Sequence, residues 1–323
     1  MSNKRIVIHA DLRPIAGSRF QPTGFPDLGA AVFDRPVGGG ESERMLLVES
    51  PQSMANHLEG TAWDGASNQP VSLFERLPYI RVLAADDGRY LTSSRTEAHR
   101  LSSAFVRDSK LDGRGVVDIF NERLGLRDDT PLDQRKVAAA VFALDPFCLL
   151  HGVFFADKKI LGQPKIARAI TGVVEASGVK EAISGGVKKD DVRHSVNGKD
   201  GGTAEGYGTV PFSRIEYTAE QIRMTFSIDL AQLDSYGLPH TAREMLELIA
   251  LWEVAVLLHD PLRLRTACDL EVVSRDDLDD RVSNRKALEQ RIAGCIAELS
   301  AELPEVSPID VVWAGPEKTK SAT

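Results

Sequence analysis

The sequence predicts an α+β protein built around a largely antiparallel sheet. Strand-like and helical segments mix without the regular alternation that parallel βαβ units require, and no internal repeat is present. The 323 residues are 42% hydrophobic and 27% charged, the composition of an ordinary globular chain able to fill a large core.

The elements follow in order. "KRIVIHADL" (4–12) is a β-like run, followed by the turn-rich "RPIAGSRFQPTGFPDLG". Two strands, 30–35 and 44–50, flank the turn "PVGGGE". Ser50 then stands as an N-cap with Pro51 at the first helical position, and Met54, Leu58 and Trp63 give that helix an apolar side. "YIRVLAA" (79–85) is a strand, and residues 93–108 read as a helix with Ala98, Leu101 and Phe105 at helical spacing. Two further helices follow, "VVDIFNERLGL" and "PLDQRKVAAAVFAL", the second opening on Thr130 and Pro131. "FCLLHGVFFA" (147–156) and "ARAITGVVEAS" (167–177) read as buried strands. Beyond residue 208 come two short strands, a long helix at 241–260 too apolar all round to face solvent, late strands, and an amphipathic helix at 283–300.

Residues 177–208 break this pattern. Their 32 residues include eight glycines and four lysines and almost nothing that could fill a core. A stretch of that kind inside a compact domain is a functional or a disordered insertion. The expected organisation is one discontinuous domain, 1–176 with 209–315, carrying the 177–208 insertion and ending in a disordered tail at 316–323.

Several functions are excluded or weakened. No apolar window is long enough to cross a membrane and no signal-peptide pattern opens the chain, so a cytoplasmic protein is expected. Cys148, Cys268 and Cys295 lie far apart in apolar surroundings and read as buried thiols, with Cys148 inside a strand. No histidine pairs with another histidine or a cysteine at ligand spacing, so no metal is expected. No nucleophile elbow, Walker lysine or dinucleotide fingerprint is present, and no cofactor is implied.

What remains is polar and basic chemistry at loops and helix starts. Arg13, Arg19, Gln21 and Thr23 surround Phe20 and Phe25. Ser50, Gln52, Ser53, Asn56 and His57 gather at one helix start, and Ser93, Ser94, Arg95, His99 and Arg100 at a second. Lys165, Arg168, Lys188, Lys189, Arg193 and Arg214 lie in and around the insertion. Cations, hydroxyls and helix N-termini are what phosphate contacts need, and exposed aromatics let bases stack. Net charge is −8, but residues 157–193 carry eight Lys/Arg against five Asp/Glu, whereas 268–310 carry five against eleven. The local field matters more than the sum.

Four segments, "HADLRPIAGSRFQPTGFPDLGAA", "LVESPQSMANHLE", "TSSRTEAHRLSSAF" and "VPFSRIEYTAEQI", together resemble the RAMP-superfamily backbone subunit (Cas-seven group) of type I-U, or I-G, CRISPR Cascade complexes. The likeness runs from about residue 5 to about 240 and weakens over the C-terminal helices. The resemblance implies an RRM-like, ferredoxin-type palm with an antiparallel sheet, an inserted flexible thumb at 177–208 and additional helices. It implies a non-catalytic subunit, many copies of which polymerise along CRISPR RNA and present it to target DNA. The implied partners are a large subunit, a fused Cas-five/Cas-six-type subunit and a recruited helicase-nuclease. On it, the "SPQSMANH" helix start is the segment that holds guide phosphates, although relatives often carry lysine or arginine where Asn56 and His57 stand. RNA-targeting relatives cleave with a loop aspartate, to which neither Asp190 nor Asp191 aligns. Two other readings stand beside it: an RNA-processing nuclease using His57, His99 or His194, and a scaffold without nucleic acid.

Overall fold

The computed structural model describes residues 4–25, 29–188, 195–196, 199–200, 210–299 and 307–315. The chain opens on β1 (Arg5–Pro14), whose strict alternation buries Ile6, Ile8, Ala10 and Leu12 on one face. After β2 (Gly24–Phe25), β3 (Gly29–Gly38) and β4 (Glu41–Glu49) form a hairpin closed by Gly38, Gly39 and Gly40, all at positive φ. Helix α1 (Pro51–Gly60) starts as the sequence predicts, with Ser50 capping and Pro51 at the first position. The small hairpin of β5 (Trp63–Asp64) and β6 (Gln69–Pro70) follows, then β7 (Ile80–Ala84) and β8 (Tyr90–Ser93).

The middle of the chain holds α2 (Ala104–Arg107), β9 (Lys110–Leu111), β10 (Arg114–Gly115), α3 (Val116–Arg123), α4 (Gln134–Leu144) and α5 (Phe147–His151). Strands β11 (Val153–Phe154), β12 (Lys165–Ile166), β13 (Ile170–Ser177) and β14 (Lys180–Lys188) come next, then the short β15 (Ser195–Val196) and β16 (Lys199–Asp200). The last part comprises β17 (Val210–Thr218), β18 (Gln221–Asp229), α6 (Leu230–Ser235), α7 (His240–His259), β19 (Leu262–Arg265), β20 (Cys268–Val272), α8 (Asp280–Ser283), α9 (Arg285–Glu298) and β21 (Ile309–Trp313).

The protein is α+β, as the sequence predicts. Its main sheet has eight strands in the order β19-β20-β1-β18-β13-β4-β3-β2, and every neighbouring pair is antiparallel. One face buries Ile8, Met224, Phe226, Ile228, Ile170 and Val174 beneath α1, α5 and α7. Helix α7 is buried on nearly every side, including Trp252 and Glu253. A second sheet runs β10-β9-β21-β7-β8 and contains the parallel pair β21·β7, clipped by the facing residues Arg81 and Asp310 at 2.7 and 2.8 Å. Strands β14 and β17 leave the main sheet as a two-stranded ribbon in which Ile183 faces Ile215 and Ser184 faces Arg214. The ribbon's return arm, 210–218, lies beyond the insertion boundary read from composition. The 316–323 tail falls outside the described residues.

Three local expectations are corrected. Residues 147–156 are helix α5 turning at Gly152 (φ 80°) into β11, so Cys148 lies in a helix rather than a strand. A short apolar run does not distinguish the two by periodicity, and Pro146 before it and Gly152 after it are the helix punctuation that decides. Residues 93–108 are not one helix. Strand β8 ends at Ser93, a 3-10 turn spans Arg100–Ser102, and only α2 is helical, because serine and threonine hydroxyls and two inward arginines take the chain elsewhere. Helix α4 starts at Gln134, not at Pro131, because the Asp133 carboxylate caps it by accepting from Arg135 and Lys136 N–H groups. The three cysteines are free and buried. Burial holds the thiols of Cys148 and Cys268 up, the latter to about 12.

The seat of α1 depends on Gly172 in β13. A Cβ there would lie 2.7 Å from Met54 Cγ and 2.7 Å from the Phe226 ring. Gly172→Ala is therefore expected to lower stability by about 1–3 kcal/mol through overpacking. Urea unfolding followed by circular dichroism measures it, and an unchanged midpoint would show that α1 rests elsewhere.

Candidate nucleic-acid interface

The solvent face of the main sheet spends its charges on itself. Arg5 pairs with Asp229 at 2.5 Å, Arg223 with Asp11 at 2.8 Å and Arg13 with Glu271 at 2.8 Å, while His9 shares a hydrogen bond with Thr225 at 3.0 Å. The outward positions of β1, β13 and β18 carry no Phe, Tyr or Trp on which a base could stack. Arg13 thus already holds a carboxylate, though an exposed pair of this kind is worth at most about 1 kcal/mol and exchanges readily for a phosphate.

Helix α1 supplies the first cluster. Ser50 Oγ accepts from Ser53 N–H at 3.3 Å, so the serine is committed to capping. The first turn carries no acidic residue, which leaves its positive dipole end without a charge of its own to offset it. Met54, Ala55 and Leu58 face inward; Gln52 and Asn56 are exposed and Ser53 and His57 partly so. His57 and His99 make no side-chain hydrogen bond among the described residues, and His194 lies outside them.

The second expected helix start is corrected more fully. Ser93 and Ser94 are buried: Ser93 bonds to Thr96, and Ser94 donates to Asp145 at 2.6 Å while accepting from Ile80 N–H. Arg95 pairs with the same Asp145 at 2.7 Å inside the core, its guanidinium 3.6 Å from the Phe147 ring centroid. Arg100 holds Glu59 of α1 through two bonds of 2.6 Å and donates to the Gly152 carbonyl at 3.2 Å. Burial works to lower the Arg100 pKa, but the Glu59 carboxylate outweighs it and the value lies above its ordinary one. These four side chains join α1, α5 and the second sheet and have nothing left for a ligand. His99 alone of the predicted five is exposed.

Arg168 differs from them. Its Nε donates to the His151 carbonyl at 3.2 Å and Nη1 to the Pro51 carbonyl at 3.1 Å, and it has no carboxylate partner among the described residues. Burial first, and Arg100 beside it, hold its pKa below the ordinary arginine value. Among the described residues its guanidinium bonds only to backbone carbonyls. It touches the opening turn of α1, and exposed Lys165 lies nearby on β12.

A third cluster lies at the base of the ribbon. The 15–23 loop is strapped across it by paired backbone bonds between Phe20 and Tyr217, 2.9 and 2.8 Å, which bury Phe20 to 1% exposure. Phe20 is therefore a core residue and not a stacking platform. Arg19 at 3.4 Å and Arg214 at 2.9 Å share the buried carboxylate of Glu216, leaving a local excess of one positive charge. Gln21, Arg214 and Arg265 line a cavity of about 440 Å³, and Arg214 sits 5.9 Å from the Phe212 ring. Thr23 bonds to Glu49, one residue before Ser50, so this cluster reaches the α1 junction. Phe25 lies in β2 and Lys188 is exposed at the end of β14; Lys189 and Arg193 fall outside the described residues. Arg265 and the exposed Phe154 escape the sequence reading. The alternation of "LRLR" signals the first; the apolar run around Phe154 hides the second.

Among the described residues no group of three or more His, Cys, Asp or Glu side chains is placed to hold a metal, and no helix is long and apolar enough to cross a membrane. The family described as "CRISPR-associated protein GSU0053" matches residues 6–181. No curated protein matches. Two solved structures are similar at 11% identity. One, "CRISPR RNA-guided surveillance complex, pre-nicking", is covered over 98% of this chain and 93% of that one, with a TM-score of 0.39. The other, Csc2 of Thermofilum pendens, is covered over 92% and 77%, with a TM-score of 0.32. Both scores are too low to establish a shared fold.

The buried Arg95–Asp145 pair gives a stability prediction. Arg95→Ala leaves the carboxylate buried without its cation and is expected to cost about 3–5 kcal/mol. Denaturant melts measure this; a loss under about 1 kcal/mol would show that Asp145, whose pKa burial already raises, takes up a proton once the cation is gone.

Proposed function

This chain belongs to the CRISPR-associated protein GSU0053 family, and from that premise we propose that it is an RNA-binding backbone subunit of a Cascade-type surveillance complex. The observation that carries the reading is the convergence at one junction. Arg168, without a carboxylate partner among the described residues, meets the acid-free first turn of α1, with Lys165 close by. Hydroxyls, amides and cations arranged in this way fit a phosphate backbone rather than base edges, so binding is expected to be largely independent of sequence.

In this reading the main sheet and its helices are an RRM-like palm, and the β14–β17 ribbon is the base of a thumb over residues 177–208. Copies of the chain line up along one CRISPR RNA and present it to target DNA. A large subunit, a fused Cas-five/Cas-six-type subunit and a helicase-nuclease complete the system, and this subunit is not itself catalytic.

The test is a filter-binding titration of guide-length single-stranded RNA across salt concentrations. Affinity is expected to fall steeply with salt, with a log–log slope near −0.7 per phosphate neutralised. The double variant Gln52→Glu, Asn56→Glu, both exposed, is expected to lose about tenfold in affinity without a change in melting temperature. Lys188→Glu should weaken binding in the same direction. Affinity indifferent to salt and to these changes would remove α1 from the interface.

A further inference from the structure

Helices α5 and α7 meet across a titratable pair that the proposed phosphate site does not use. His151, the last residue of α5, places its Nε2 3.0 Å from Glu253 Oε1 of α7, and both side chains are fully buried. The ring stacks on Phe147 of the same helix, with centroids 6.5 Å apart and planes 21° apart. His151 Nδ1 and Glu253 Oε2 have no hydrogen-bond partner among the described residues, so the Nε2–Oε1 contact alone carries the pair.

The other charges packed around α5 cancel in pairs. Glu59 of α1 holds Arg100 of the 93–103 loop, and Asp145, just before α5, holds Arg95. Arg168, between β12 and β13, meets the His151 carbonyl and not its ring. Burial pushes the Cys148 thiol up and the Tyr236 hydroxyl, which donates to the Leu149 carbonyl, up to about 12. The buried residues of α4 and β13 carry no ionisable group. Glu253 thus has no cation in contact but His151 among the described residues. A carboxylate buried without a cation is strongly disfavoured, which keeps a proton on the ring. Burial by itself lowers the His151 pKa, but Glu253 and then Glu59 outweigh burial and Arg100, and the value lies above the ordinary one.

We propose that His151 and Glu253 form a proton-dependent clamp: with His151 protonated the pair locks α5 against α7, and loss of that proton loosens the α5–β11 corner. The corner supplies the His151 and Gly152 carbonyls that hold Arg168 and Arg100. Any effect on RNA therefore rests on the holding role above, whereas the clamp itself is tested without RNA. Because folding raises the His151 pKa, the clamp's contribution is fully present below about pH 6.5, the ordinary histidine value. It is lost as the pH rises through the folded value.

The experiment is denaturant unfolding of the full chain from about pH 6 to about pH 9, for wild type, Glu253→Gln and the double variant His151→Gln, Glu253→Gln. Both variants remove the titrating pair without leaving a buried charge unpaired. The advantage of wild type over each is expected to shrink about tenfold in the unfolding constant per pH unit above about 6.5, the signature of one proton held only by the folded state. Nitrogen-15 NMR of the histidine rings in wild type gives a second reading that needs neither variant to fold. The His151 ring, assigned through its contact with Phe147, is expected to carry hydrogen on both nitrogens above about pH 6.5. An advantage that does not change with pH, or a His151 ring with a single hydrogen at about pH 7, overturns the clamp and leaves the RNA-holding role intact. A chain that binds no RNA but shows the expected pH dependence keeps the clamp and loses that role alone.

Discussion

The bidentate ion pair between Arg100 and Glu59 is the joint on which the rest of the interface depends. Glu59 sits in the last turn of α1, and Arg100 follows the loop that leaves β8. The same guanidinium reaches the Gly152 carbonyl at the α5–β11 corner. One side chain therefore fixes the positions of α1, the 93–103 loop and the hairpin that carries Phe154 and Lys165. Its geometry also forces Arg100 to φ +52°, a left-handed conformation that a non-glycine residue adopts only where surrounding contacts over-determine it.

With Arg100 taking the direct contact with Glu59, the neighbouring Arg168 is left without a carboxylate in ion-pair contact among the described residues. The chain as a whole is acidic, with a net charge of −8. Most arginines described here are held by a carboxylate, on the open sheet face as at Arg5, Arg13 and Arg223, or in the core as at Arg95. Among the described residues Arg168, Arg265 and the lysines make no ion pair with a carboxylate. In the proposed role the position of such cations matters more than the net charge, because an interaction falls off within a Debye length of about 10 Å at moderate salt.

Local features were legible in the sequence where local chemistry decides them. The Ser50 cap, Pro51 and the inward Met54 and Leu58 are specified within nine residues, and β1 declares itself by alternation alone. The 93–108 segment was not legible, because the partners that bend it, Asp145 and Glu59, lie about 50 and 41 residues away in the chain. Arg95 and Arg100 look like surface cations until those acids are located. Phe20 looks like an exposed aromatic until Tyr217 closes over it. Arg168 was recognised as basic, but its lack of a carboxylate partner is a property of packing that spacing does not encode.

The central claim is that this chain holds CRISPR RNA, and the most direct measurement is what it carries out of the cell. The protein would be purified after co-expression with its CRISPR array and partner subunits, and the bound nucleic acid extracted, digested with nucleases and sized. The account predicts a discrete RNA of guide length, protected by the protein and sensitive to ribonuclease. A complex assembled without RNA, or RNA of random length and sequence unrelated to the array, would contradict it.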